Sequence, residues 1–190
     1  MPLDVAALLR ETGALLSGHF RLSSGVHSAG YVQCALLLEH PRNAKAIGTA
    51  LGEKVREMQP SKIVAPALGG VIIGYTVAEA LDVPSIFTER KDGAMTLRRG
   101  FRIAKGERVV IVEDVVTTGK STRETAAVVE GLGGVVAGFA SILNRSGVSN
   151  PFDASYVSLL ELNLATYDEA HCASCASGVA LDSPGSRYSK

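Results

Sequence analysis

Apolar residues recur along this chain with two different periods. Val5, Leu8 and Leu9 follow helical spacing, and Gly13 can end that helix. His19-Phe20-Arg21-Leu22-Ser23-Ser24-Gly25 alternates and then turns, as a strand entering a loop does. Over 41–58 the helical period returns, with Ile47, Leu51, Val55 and Met58 on one stripe. Short apolar runs then alternate with helical stretches. A strand over 63–66 leads into a helix over 71–81, and a strand over 84–88 follows. Asp92-Gly93 is a turn signal, which makes 95–99 the returning arm of a hairpin. The run Val109-Val110-Ile111-Val112 precedes a helix reaching Leu132, Gly133-Gly134 stops it, and strands follow over 135–143 and 153–160. Continuous apolar runs belong to strands buried on both faces. Their alternation with helices over 62–143 predicts an α/β fold, a central parallel sheet flanked by helices.

Composition narrows the class. A length of 190 residues with 46% hydrophobic positions suits one domain with a sizeable core. The formal charge of zero disfavours nucleic acid or an anionic membrane as a partner. No apolar run approaches the length of a membrane span. The start, MPLDVAALLRETG, lacks the basic region of a signal peptide. Three cysteines, an odd number, point to reduced thiols and a cytoplasmic home.

The chemistry concentrates in VVIVEDVVTTGKST, residues 109–122. A buried strand, two acids, a turn of small hydroxyl residues and a helix start together make a phosphate cradle. Carboxylates cannot bind that phosphate, so Glu113 and Asp114 must serve hydroxyls or a metal beside it. A sugar phosphate meets both demands. A nucleotide P-loop is the competitor, because Gly119-Lys120-Ser121 matches its end. That motif needs glycine five residues before Gly119, where Asp114 stands.

The same stretch resembles the 5-phosphoribosyl diphosphate (PRPP) motif of type I phosphoribosyltransferases. The resemblance implies that Glu113 and Asp114 face the ribose hydroxyls. It also implies that Val115, Val116, Thr117, Thr118, Gly119, Lys120 and Ser121 hold the 5-phosphate end. The stretch FRLSSGVHSAGYVQ, residues 20–33, resembles the hood segment of orotate phosphoribosyltransferases in particular, which sets Tyr31, Ser23 and Thr117 toward orotate. Leu68-Gly69-Gly70 takes the position of the loop that grips the diphosphate. The family often has lysine where this chain has Ser23 and Gly69. Arg90 and Lys91 match the start of the mobile catalytic loop, so the resemblance makes Lys91, Arg90 and Asp114 the catalytic residues. Arg98 and Arg99 lie on the same excursion.

Arg145 leaves the carboxyl end of a strand, and its planar fork suits a carboxylate such as that of orotate. An ordinary loop arginine remains the alternative. The CxxC of Cys172 and Cys175 beside His171 lacks a full ligand set in sequence and reads as structural thiols. With the following Pro-Gly-Ser-Arg it resembles the C-terminus of one branch of the same family.

The resemblance therefore implies an orotate phosphoribosyltransferase of pyrimidine biosynthesis that uses PRPP and orotate. Mg2+ enters on PRPP, without direct protein ligation, and active sites are shared across a homodimer. It also implies one domain over 1–190: a hood mainly over 14–36 with the C-terminal segment, a core over about 41–160, and a mobile hairpin over about 89–101. A purine phosphoribosyltransferase and a non-catalytic PRPP-sensing regulator are the competing readings.

Overall fold

A computed structural model describes residues 3–22 and 24–184. Helix α1 (Val5–Glu11) starts where the Asp4 side chain accepts a hydrogen bond from the Ala7 N–H at 2.8 Å. Strands β1 (Leu15–Arg21) and β2 (His27–Val32) form an antiparallel hairpin. Helices α2 (Cys34–Leu38) and α3 (Pro41–Val55) follow, with proline in the first turn of α3, where its missing N–H is no loss. The stripe expected to reach residue 58 leaves the α-helix at Val55 and tightens into a 3-10 turn, Arg56–Met58. Gln59 then takes a left-handed conformation at φ 51° and turns the chain toward the sheet.

The alternating segment comprises β3 (Lys62–Pro66), α4 (Gly69–Leu81), β4 (Ser85–Lys91), β5 (Ala94–Leu97), β6 (Arg108–Val116), α5 (Lys120–Gly131), β7 (Val135–Asn144) and β8 (Tyr156–Glu161). Strand order is β5-β4-β3-β6-β7-β8, parallel throughout except for the β4–β5 hairpin. The chain builds outward from β3 on one side and from β6 on the other. The crevice at the carboxyl ends of these two strands is therefore a topological switch point, where such sheets bind ligands. A second sheet, β1-β2-β9, joins the N-terminal hairpin to β9 (Thr166–Tyr167), which precedes the short helix α6 (Ala173–Ala176).

Strand β6 shows why its apolar run is unbroken. Val110 and Val112 pack with Ile47, Leu51 and Ile73 on one face. Val109 and Ile111 pack with Val129, Phe139 and Phe152 on the other. The strand also runs further than its valines suggest, to Val116, because β7 pairs with it beyond the acids, Glu113 opposite Ser141 and Val115 opposite Leu143. In the same way β4 continues to Lys91, held by β5 in register from Thr88–Leu97 to Lys91–Ala94.

Close packing of α3 on α4 depends on two glycines. A Cβ at Gly48 would lie 2.4 Å from Thr76 Oγ1 and 2.7 Å from its carbonyl carbon, whereas one at Gly52 would lie 3.1 Å from Ala80 Cβ. Gly48→Ala should lower the urea midpoint by the equivalent of about 1–3 kcal/mol, despite alanine's better helix propensity. Gly52→Ala should be nearly neutral. Unchanged stability of Gly48→Ala would show that the two helices separate freely.

Candidate active site

The site grows from the end of β6. Because this strand lies between β3 and β7, Glu113 emerges inside the sheet and is only 8% exposed. Asp114 Oδ1 accepts the Val115 N–H at 2.8 Å. The amino end of α4 presses against the pair. A Cβ at Gly69 would stand 2.7 Å from either Asp114 carboxylate oxygen, and one at Gly70 would stand 2.9 Å from the Val112 carbonyl. Burial pushes the Glu113 carboxyl well above the usual range, and the charge of Asp114 pushes it further. Burial also raises Asp114, against the backbone hydrogen bond from Val115.

Beyond the acids the chain turns through Gly119, at φ 69°, into α5, which has no side-chain cap and no acid in its first turn. Its first N–H groups thus remain available to an anion. Arg123 braces the turn: Nη1 donates to the Thr118 carbonyl at 2.5 Å, Nη2 donates to the Pro151 carbonyl at 2.5 Å, and the guanidinium lies 5.2 Å from the Phe152 ring centre. A Cβ at Gly119 would meet both Arg123 and Phe152 at 2.9 Å.

Arg145 follows β7 and donates its backbone N–H to the Val116 carbonyl at 2.7 Å. Asn144 shapes the loop after it, accepting from Ser146 N–H at 3.0 Å and donating to the Val148 carbonyl at 2.7 Å. Arg145 Nε is buried without a hydrogen-bond partner. Burial lowers the Arg145 pKa, partly offset by Tyr31, and burial raises that of Tyr31, helped by Asp114.

A cavity of about 430 Å³ joins these groups. Leu22, Ser24, Tyr31, Val32 and Gln33 form its roof, Glu113, Asp114 and Val115 its middle, residues 117–122 one end, and Arg145 lines it too. An anion-binding turn, a central acid pair and a half-buried guanidinium with a spare donor suit a phosphorylated polyol beside a second anion.

Known proteins agree with this geometry. The phosphoribosyl transferase domain model matches residues 35–173. The chain is 44% identical to the orotate phosphoribosyltransferase of Carboxydothermus hydrogenoformans, over 97% of this chain and 98% of that one. The chain belongs to the orotate phosphoribosyltransferase family. The Thermotoga maritima orotate phosphoribosyltransferase is also 44% identical, over 96% of this chain and 98% of its own. The crystal structure of orotate phosphoribosyltransferase from Aeropyrum pernix superposes with a TM-score of 0.71 at 25% identity, covering 84% of this chain and 94% of that one.

Tyr31, Glu113, Asp114, Val115, Thr117, Thr118, Gly119, Lys120, Ser121 and Arg145, all expected from sequence, line the common cavity. Val116 is buried at 1% exposure and is not among the lining residues, and Ser23 lies outside the described residues. Gly69 and Gly70 pack against the acid pair, while Leu68 is exposed. A lysine at position 69 would require Asp114 to shift, since its Cβ would stand 2.7 Å from either carboxylate oxygen. Arg90 and Lys91 are apart from the cavity lining. Arg90 pairs with Glu124 at the start of α5 and donates to the Gly93 carbonyl at 3.0 Å, and Lys91 is exposed at the end of β4. Arg98 and Arg99 both pair with Glu89, at 3.4 and 2.9 Å.

Sequence reasoning missed Arg123, Asn144 and Gln33. Arg123 reads as an ordinary exposed helix charge, and the return of 150–152 past the phosphate turn adds the Pro151 carbonyl and the Phe152 ring to its local bond with the Thr118 carbonyl. It also missed where the CxxC points. His171 is exposed, and Cys172 and Cys175 instead meet His19 and His27 of the hood hairpin.

The raised pKa of Glu113 fixes the sign of a pH effect. Below about 4, the ordinary glutamic-acid value, the side chain is protonated whether folded or unfolded. As pH rises through the higher folded value, stability is lost, because the folded chain holds a proton that the unfolded chain releases. Glu113→Gln should therefore raise the unfolding temperature of ligand-free protein more near pH 8 than near pH 4. A gain independent of pH would refute the buried-carboxyl account.

Proposed function

We propose that this chain transfers the phosphoribosyl group of PRPP to orotate, giving orotidine 5-monophosphate and diphosphate in pyrimidine biosynthesis. The carrying observation is the half-buried Arg145 side chain, whose buried Nε lacks a partner, lining the same cavity as the phosphate turn and the acid pair. Relatives that share 44% of its residues bear the name orotate phosphoribosyltransferase.

In this reading the N–H groups and hydroxyls of 117–121 hold the 5-phosphate, and Glu113 and Asp114 accept hydrogen bonds from the ribose hydroxyls. Arg145 binds the orotate carboxylate, and Tyr31 covers the ring. Departure of diphosphate leaves cationic character at the anomeric carbon, which the neighbouring Asp114 carboxylate stabilises, while cations stabilise the departing oxygens. The ring nitrogen of orotate is already acidic, so no residue is assigned as a general base. Among the described residues, the only cluster of three or more metal-ligating side chains is His19, His27, Cys172 and Cys175. In this reading Mg2+ arrives on PRPP and, when bound, would neutralise charge on the diphosphate.

The hairpin over about 89–101 is assigned as a mobile lid within a single domain, with the hood over 14–36 and the C-terminal segment above a core over about 41–160. Its tip is tied through Arg90 and Glu124 by a surface ion pair, worth about 1 kcal/mol or less, whereas Leu97 and Phe101 at its base pack against the core, so motion is assigned to the tip. Closure would bring Lys91 and Arg90 to the diphosphate and exclude water that wastes PRPP. Leu68, Ile72 and Tyr75 are 88%, 47% and 64% exposed along one stripe beginning at the glycine loop, which supports a homodimer in which the lid serves the partner's site. Three free thiols support a cytoplasmic setting. No described helix is long and apolar enough to cross a membrane, and the zero formal charge gives no basis for a nucleic-acid partner.

Loss of orotate ultraviolet absorbance in the presence of PRPP and Mg2+ tests the assignment. PRPP binding without orotate turnover would favour a regulator that keeps only the cradle. Lys91→Ala should lower kcat by about tenfold or more, because its contact forms mainly in the transition state. Undiminished turnover would remove Lys91 from the mechanism.

A further inference from the structure

The C-terminal segment is fastened to the hood with little apolar help. From residue 165 to 182 Cys172 is the only buried side chain. Strand β9 contributes only the pairs His27–Tyr167 and Ser28–Thr166. Further along, Arg21 N–H donates to the Asp182 carbonyl and Asp182 N–H to the His19 carbonyl, each at 2.8 Å. Backbone bonds at a solvated edge are weak anchors, so something else must hold this strap.

At its middle four donor atoms converge. His19 Nε2 lies 3.0 Å from His27 Nδ1, 3.4 Å from Cys172 Sγ and 3.6 Å from Cys175 Sγ. Cys175 Sγ lies 3.2 Å from His27 Nδ1, and all four atoms fall within 4.8 Å of one another. A tetrahedral zinc with bonds of ~2.0–2.3 Å sets its ligand atoms roughly 3.3–3.8 Å apart, a spacing the observed distances bracket, so a small rearrangement admits the ion. The outer partner is also in place. His19 Nδ1 lies 2.9 Å from the Val179 carbonyl, which can accept a hydrogen bond from Nδ1–H and so favours the tautomer whose Nε2 lone pair is directed at the cluster. Both histidines are buried, at 4% and 1% exposure.

We propose that His19, His27, Cys172 and Cys175 form a structural zinc site that clamps the C-terminal strap onto the hood hairpin. Two nitrogens and two thiolates in a tetrahedron select zinc over magnesium, which needs oxygen donors in an octahedron. With all four positions taken by protein, the ion has no open site for substrate, and its role is to hold structure. The two histidines flank the loop that supplies Leu22 and Ser24 to the cavity, and Tyr31 stands four residues beyond His27 on β2. The clamp therefore steadies the roof over the proposed orotate site from outside it.

Elemental analysis of protein purified with reductant and without chelator should find about one zinc per chain, as a closed four-ligand site requires. Cobalt exchanged into the wild-type protein should give the strong visible bands of tetrahedral, thiolate-bound Co2+. Cys172→Ser/Cys175→Ser should abolish both signals, Cys34→Ser should keep both, and chelation should expose the C-terminal strap to protease. Metal-free reduced protein, a Cys172–Cys175 disulfide in its place, or zinc that survives the double substitution would each overturn the proposal.

Discussion

Two carboxyl groups inside the central strand of the sheet are the constraint on which the site depends. Glu113 and Asp114 sit in β6, beyond a run of valines buried on both faces, and burial disfavours the ionised form of each. A sheet built only for stability would place apolar residues there. The neighbouring structure yields to the acids: α4 approaches them through Gly69 and Gly70, where any larger residue would strike the Asp114 carboxylate or the Val112 carbonyl. The space beside Asp114 is already used by close backbone approach, and main-chain N–H groups are what the turn can offer a diphosphate.

Opposite charges are arranged around that pair. The uncapped end of α5 lies on one side, and Arg145, half-buried with a spare donor, also lines the cavity. Each is held by groups that touch no ligand in the proposed chemistry: Arg123 grips the phosphate turn from behind, and Asn144 ties the loop that carries Arg145. The roof comes from a different sheet, and its stiffness depends on a segment almost without a core of its own. The His19, His27, Cys172 and Cys175 cluster is the strongest available link between the two. Preorganisation in this chain thus comes from three separate devices, namely tight glycine packing, a braced turn and a clustered set of soft ligands.

Much of this was legible in the residues before any coordinates. The run from Val109 to Val112 shows its buried strand through continuous β-branched side chains, and the turn after it shows phosphate chemistry through small hydroxyl residues at a helix start. Asp114 alone excludes a P-loop. Local patterns fail where a partner distant in sequence decides the outcome. Strand β6 extends to Val116 because β7 pairs beside it, and β4 reaches Lys91 because β5 folds back on it. Arg123 looks like a solvated helix charge until Pro151 and Phe152 return beside it.

By itself, then, the sequence determined the α/β order, the phosphate turn and the acid pair, because each is written in adjacent residues whose period and chemistry act locally. The tertiary structure decided that Arg145 and Tyr31 share one cavity with them, that Arg90 and Lys91 stand outside it, and that the CxxC meets two histidines about 150 residues away. Those outcomes require chain closure across the whole domain, and no local period or spacing encodes them.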